Sequence, residues 1–74
     1  MTRLPRITGQ QVITALRKAG FQVIRTKGSH HFLAYPDERH TVVPVHRGET
    51  IGPGLLARIL CDVEITRDEF TDLL

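Results

Sequence analysis

Phe21-Gln22-Val23-Ile24-Arg25-Thr26-Lys27-Gly28-Ser29-His30-His31-Phe32-Leu33-Ala34-Tyr35 is the stretch whose reading decides the fold. Residues 21–27 are rich in β-formers and read as a strand, Gly28 breaks the run, and residues 29–35 read as a second strand. Pro36-Asp37-Glu38-Arg39 is a polar turn with proline in a favourable place. Residues 40–45 give a third strand, in which Pro44 lacks an N–H and so belongs on an edge or at the strand's end. Such short connections make an antiparallel three-stranded meander the simplest arrangement.

Helical segments precede and follow these strands along the chain. Residues 1–7 lack periodicity and read as an irregular lead-in, with Ile7 packing back as a staple. Thr8 is a candidate N-cap because Gln11, three residues on, completes a capping box. Val12, Ile13, Ala15, Leu16 and Ala19 form one apolar stripe, Gly20 supplies a left-handed stop, and Arg17 and Lys18 suit the helix dipole. The first helix is therefore expected over 9–19.

After a loop at 46–52, Pro53 can open a second helix. Its buried stripe is read as Ile51, Leu55, Leu56, Ile59 and Leu60, with Cys61 a small core residue and a break at 62–64. Thr66 and Glu69 make another capping box for a short last helix ending in Phe70, Leu73 and Leu74. The order α-β-β-β-α with a tail helix gives an α+β sandwich, helices on one sheet face and the other face open. The whole chain, 1–74, reads as one domain.

Seventy-four residues bury only about 60% of the surface exposed when unfolded. That leaves no room for a deep metabolite pocket and favours a shallow surface with a large partner. The lone Cys61 makes no internal disulfide, and the sequence shows neither signal peptide nor long apolar run. These features point to the cytosol, with no membrane. Net charge is +2, unevenly spread: residues 1–48 hold eight basic side chains against Asp37 and Glu38, whereas 49–74 hold Arg58 and Arg67 against six carboxylates. A polyanion-binding face needs such a basic segment, although a solvated surface accounts for the same count.

Lys27-Gly28-Ser29-His30-His31 concentrates the chemistry. Imidazole, with an ordinary pKa of about 6.5, both gives and takes a proton near neutrality. Cutting RNA without a metal needs a base for the attacking hydroxyl and stabilisation of charge on the phosphate. Arg25 and Lys27 are candidates to neutralise the phosphate, and the Gly28 and Ser29 N–H groups to donate to its oxygens. Alternation sends His30, Phe32 and Ala34 to one face and His31, Leu33 and Tyr35 to the other. Both sets are mixed, so alternation alone does not say which face meets the helices. His30, His31, His40 and His46 include no i, i+4 pair on a helix, and neither a metal nor another cofactor is expected.

Gly28-Ser29-His30, with Thr8-Gly9, Leu16, Ala19-Gly20-Phe21, Thr41-Val42-Val43-Pro44-Val45-His46, Gly54-Leu55 and Ile59-Leu60, resembles the HicA toxin family (YcfA-like mRNA interferases) from about residue 7 to 74. The resemblance implies a double-stranded-RNA-binding-domain-like fold and a toxin that cleaves mRNA and is neutralised by a HicB-type antitoxin. It places the catalytic histidine at His30, with His31 the runner-up, and matches Arg25, Lys27, Gly28 and Ser29 as RNA-binding positions. Cys61-Asp62-Val63-Glu64-Ile65 departs from the family's basic, glycine-containing turn, and the tail is acidic. The competing reading is a non-catalytic module that binds double-stranded RNA through shape and phosphates.

Overall fold

The computed structural model describes residues 6–74, so the first five residues of the lead-in, Arg3 among them, lie outside the described residues. The elements are α1 (Gly9–Lys18), β1 (Gln22–Lys27), β2 (His30–Ala34), β3 (His40–Pro44), α2 (Pro53–Val63) and α3 (Arg67–Leu73). One antiparallel sheet in the order β1-β2-β3 carries the helices on one face. The molecule is 18 Å thick at its thinnest, which fits two packed layers and no third.

Local chemistry sets each boundary. The Thr8 hydroxyl accepts from the Gln11 N–H, and the Gln11 side chain accepts from the Thr8 N–H, so both orphan donors are satisfied at the start of α1. At its end Gly20 takes φ +106°. The Gly20 N–H then returns to Arg17 and the Phe21 N–H to Leu16, closing a Schellman motif over two buried side chains. Gly9 answers a different demand. A Cβ there would collide with the Pro44 carbonyl oxygen, so α1 starts hard against the end of β3. Ile7 is buried in the core, and its carbonyl accepts from the Ile51 N–H at 2.7 Å.

The core lies between α1, α2, α3 and the sheet face that presents Leu33, Thr41 and Val43. Val12, Leu16, Leu56, Val63 and Phe70 close over that face. Thr41, the buried polar residue, satisfies its hydroxyl on Asp62 at 3.0 Å.

Three expectations for α2 are corrected. The helix does not break at 62 but runs to Val63, and Glu64 ends it in the left-handed region at φ +57°. Val63 extends the stripe Leu56, Ile59, Leu60 by one more turn, and its full burial outweighs the weak helix propensity there. Leu55 is 39% exposed, because Leu56 takes the inward position beside it. Cys61 is exposed rather than in the core, since it sits about 100° round the helix from Leu60.

Candidate functional site

The β1–β2 hairpin turns through two residues, Gly28 and Ser29, with Lys27 and His30 paired across its mouth. Gly28 takes φ +58° while Ser29 does not have a positive φ, the type II′ pattern that matches strand twist. Nothing lies within 4 Å of where a Gly28 Cβ would stand, so glycine is required by backbone conformation and not by crowding.

Register then sorts the side chains. Lys27 pairs with His30 and His30 with Pro44; Arg25 pairs with Phe32 and Phe32 with Val42. Directly opposed residues share a face, and Leu33 and Val43 occupy the helix side. Arg25, Lys27, His30, Phe32, His40, Val42 and Pro44 therefore stand on the open face. The guanidinium of Arg25 lies 4.5 Å from the centre of the Phe32 ring. His30 is exposed, and its ring has no hydrogen-bond partner among the described residues.

His31 turns the other way. It is half-buried on the helix side, where its Nδ1–H donates to the Ser29 carbonyl at 3.2 Å. In the neutral ring that bond leaves the lone pair on Nε2. The same Ser29 carbonyl accepts from the Val45 N–H at 2.8 Å, which anchors the turn to the end of β3. Of the residues singled out in the sequence, Arg25, Lys27 and His30 thus meet on one face and Gly28 and Ser29 form the adjoining turn. His31 is separated from them by the sheet.

Strands β1, β2 and β3 contain no carboxylate at all. Asp37 and Glu38 lie in the turn at the far end of β2, and the remaining acids lie in the 46–52 loop, in α2 and α3, and around their junction. The strands thus give the open face Arg25 and Lys27 and no carboxylate of their own, while Asp37, Glu38, Asp62 and Glu64 line a groove along the β3 edge. Arg39, counted in sequence with the basic segment, is not available to a ligand. Its side chain bonds Asp37 at 2.8 Å and the Val63 carbonyl at 2.6 Å, and it stacks 4.6 Å from the Tyr35 ring centre.

A shallow groove of ≈ 830 Å³ runs from His30 and Pro44 around the free edge of β3 to Leu55, Arg58 and Asp62 of α2. Arg58 and Phe32 are the side chains of this region that sequence reasoning passed over. Phe32 had a signal, two places from His30 on the same face; Arg58 had none, because its nearness depends on how α2 docks beside β3. Among the described residues no group of three His, Cys, Asp or Glu side chains is placed to hold a metal ion. No described helix is long and apolar enough to cross a membrane.

Compared with known families, residues 9–65 match the sequence model described as HicA toxin of bacterial toxin-antitoxin. No curated protein matches the chain.

Proposed function

The chain belongs to the HicA toxin family, and from that premise we propose that it is a metal-independent endoribonuclease that cleaves mRNA, the toxin of a type II toxin–antitoxin pair. His30 is the general acid/base. It takes the proton from the attacking 2′-hydroxyl or water as the new oxygen–phosphorus bond forms and the bond to the leaving oxygen breaks. Lys27, paired across the hairpin mouth, and Arg25 hold the phosphate and oppose its developing charge, with the Gly28–Ser29 turn beside them. A positioned imidazole supplies roughly 10²–10⁴-fold through proton transfer. The partner is a HicB-type antitoxin that covers the open face, and acidic groups on it would speed the encounter.

One observation carries this reading. The exposed ring of His30, without a hydrogen-bond partner among the described residues, stands next to Lys27 on a face whose strands bear cations and no carboxylate. His31 supports it less well, because its ring is held on the opposite face. The test incubates the purified chain with a defined mRNA in EDTA and analyses the product ends. Cleavage is expected to survive EDTA and to fall at least 100-fold in His30→Ala while RNA binding stays near wild type. Cleavage at the wild-type rate by His30→Ala would reject the assignment, and loss confined to His31→Ala would move it to His31.

A further inference from the structure

Arg25 and Phe32 lie side by side on the open face, and the geometry points to this pair as a stacking platform for an unpaired nucleobase, which would make single-stranded RNA the ligand of the sheet. The inference rests on the nuclease reading only in taking RNA as the partner. Phe32 is half-buried on β2, and the Arg25 guanidinium carbon lies over its ring, 4.5 Å from the centre. A guanidinium plane backed by an aromatic ring is a flat π surface of the kind on which splayed bases stack.

The platform sits two residues along β2 from His30, about 6.6–6.8 Å at strand rise. A phosphodiester backbone spans that reach within one nucleotide. A base resting on Arg25 therefore brings its neighbouring phosphate to Lys27 and His30. In an A-form duplex the base faces are stacked inside the helix, and only phosphates, 2′-hydroxyls and groove edges are on offer. A π platform gains nothing from such a ligand. The strands themselves carry no carboxylate; Asp37, Glu38, Asp62 and Glu64 line the groove along the β3 edge, whereas Arg25 and Phe32 stand on β1 and β2. The fold resembles a double-stranded-RNA-binding domain, yet this face fits the unpaired form.

The test uses the full chain in EDTA, with one labelled oligoribonucleotide presented either alone or annealed to its complement. Fluorescence anisotropy reads binding, in a His30→Ala background so that the probe is not consumed. The unpaired strand is expected to bind at least tenfold more tightly than the duplex. Phe32→Ala should weaken unpaired binding roughly 5- to 150-fold and leave duplex binding unchanged, while Phe32→Trp restores it. Arg25→Lys keeps the charge but loses the plane, and should weaken unpaired binding several-fold more than duplex binding; being exposed, this site stays informative if Phe32→Ala does not fold. Equal affinity for the two probes, or unchanged unpaired binding in Arg25→Lys, overturns the platform. Because binding is read in His30→Ala and cutting in the wild-type chain, a preference for unpaired RNA together with no cleavage by the wild-type chain rejects the nuclease reading alone.

Discussion

Arg39 Nη1 donates a hydrogen bond to the carbonyl oxygen of Val63 across 2.6 Å. The link ties the β2–β3 turn to the last turn of α2, where the Leu60 and Cys61 carbonyls already accept from the Ile65 and Glu64 N–H groups and the Val63 carbonyl takes Arg39 instead. The same guanidinium packs over the rings of Tyr35 and Phe21, which lie 5.1 Å apart. One exposed-looking cation in the sequence thus joins sheet, helix and aromatic core. Its ion pair with the exposed Asp37 adds little by comparison.

Arg39→Ala should therefore destabilise the protein by about 2–3 kcal/mol, combining a charged hydrogen bond with the lost ring contacts. Arg39→Lys should recover only part, since an ammonium lacks the planar fork. Urea unfolding measures both, and an Arg39→Ala midpoint equal to wild type would contradict the clamp.

Gly9→Ala should cost about 1–3 kcal/mol, because the added methyl forces α1 away from Pro44. On an open helix the same change would stabilise by up to about 1 kcal/mol. The sign of the shift in thermal midpoint decides between them.

Glu38 sits at φ +79° in the turn that closes β2 onto β3, with its N–H bonded to the Tyr35 carbonyl at 3.0 Å. Left-handed backbone costs a residue with a Cβ about 1–2 kcal/mol, more than glycine's extra chain entropy. Glu38→Gly should raise stability by about 0.5–1 kcal/mol. A lower melting temperature would show that the Glu38 side chain contributes something its geometry does not reveal.

The two capping boxes should respond differently to acid. Hydrogen bonds from the backbone N–H and hydroxyl of Thr66 hold the Glu69 carboxyl below its ordinary value, and the nearby Arg39 acts in the same direction. A depressed folded pKa means stability present above the unfolded value and lost as pH falls through the folded one. Below the ordinary carboxylate range α3 should loosen around Phe70, while the α1 box, built with the non-titrating Gln11, persists. Hydrogen exchange across an acid titration reads this, and Glu69→Gln should flatten the α3 response.

Lys27→Ala should weaken RNA binding about equally for all sequences and reduce the slope of log affinity against log salt by about 1. A slope unchanged from wild type would place Lys27 outside the phosphate track.

Much of the fold was legible because it rests on local chemistry. Thr8 with Gln11, Gly20, Gly28, Pro53 and Thr66 with Glu69 each act within one turn of chain, and each marks a boundary in the structure. The end of α2 was not legible. Asp62 and Glu64 look like breakers until Val63 is seen buried against the rest of the core. β1 misleads in another way. A bulge between Val23 and Arg25 shifts the register so that Val23, and not Ile24, lies across from Leu33. Ile24 is left 64% exposed, a result that counting alternate residues does not produce.

By itself the sequence determined the element order, the antiparallel hairpin and the clustering of cations with two histidines at its mouth, since all of these follow from neighbours in the chain. Only the tertiary structure decided which imidazole faces the open side. Residues 30, 32, 34 and residues 31, 33, 35 are equally mixed in polarity, so strand periodicity does not choose between them. The choice came from packing: Leu33, paired with Thr41, and Val43, paired with His31, are sealed beneath the helices. With that face taken, the two-residue period of the strand turns His31 inward and leaves His30 outward beside Lys27 and Arg25.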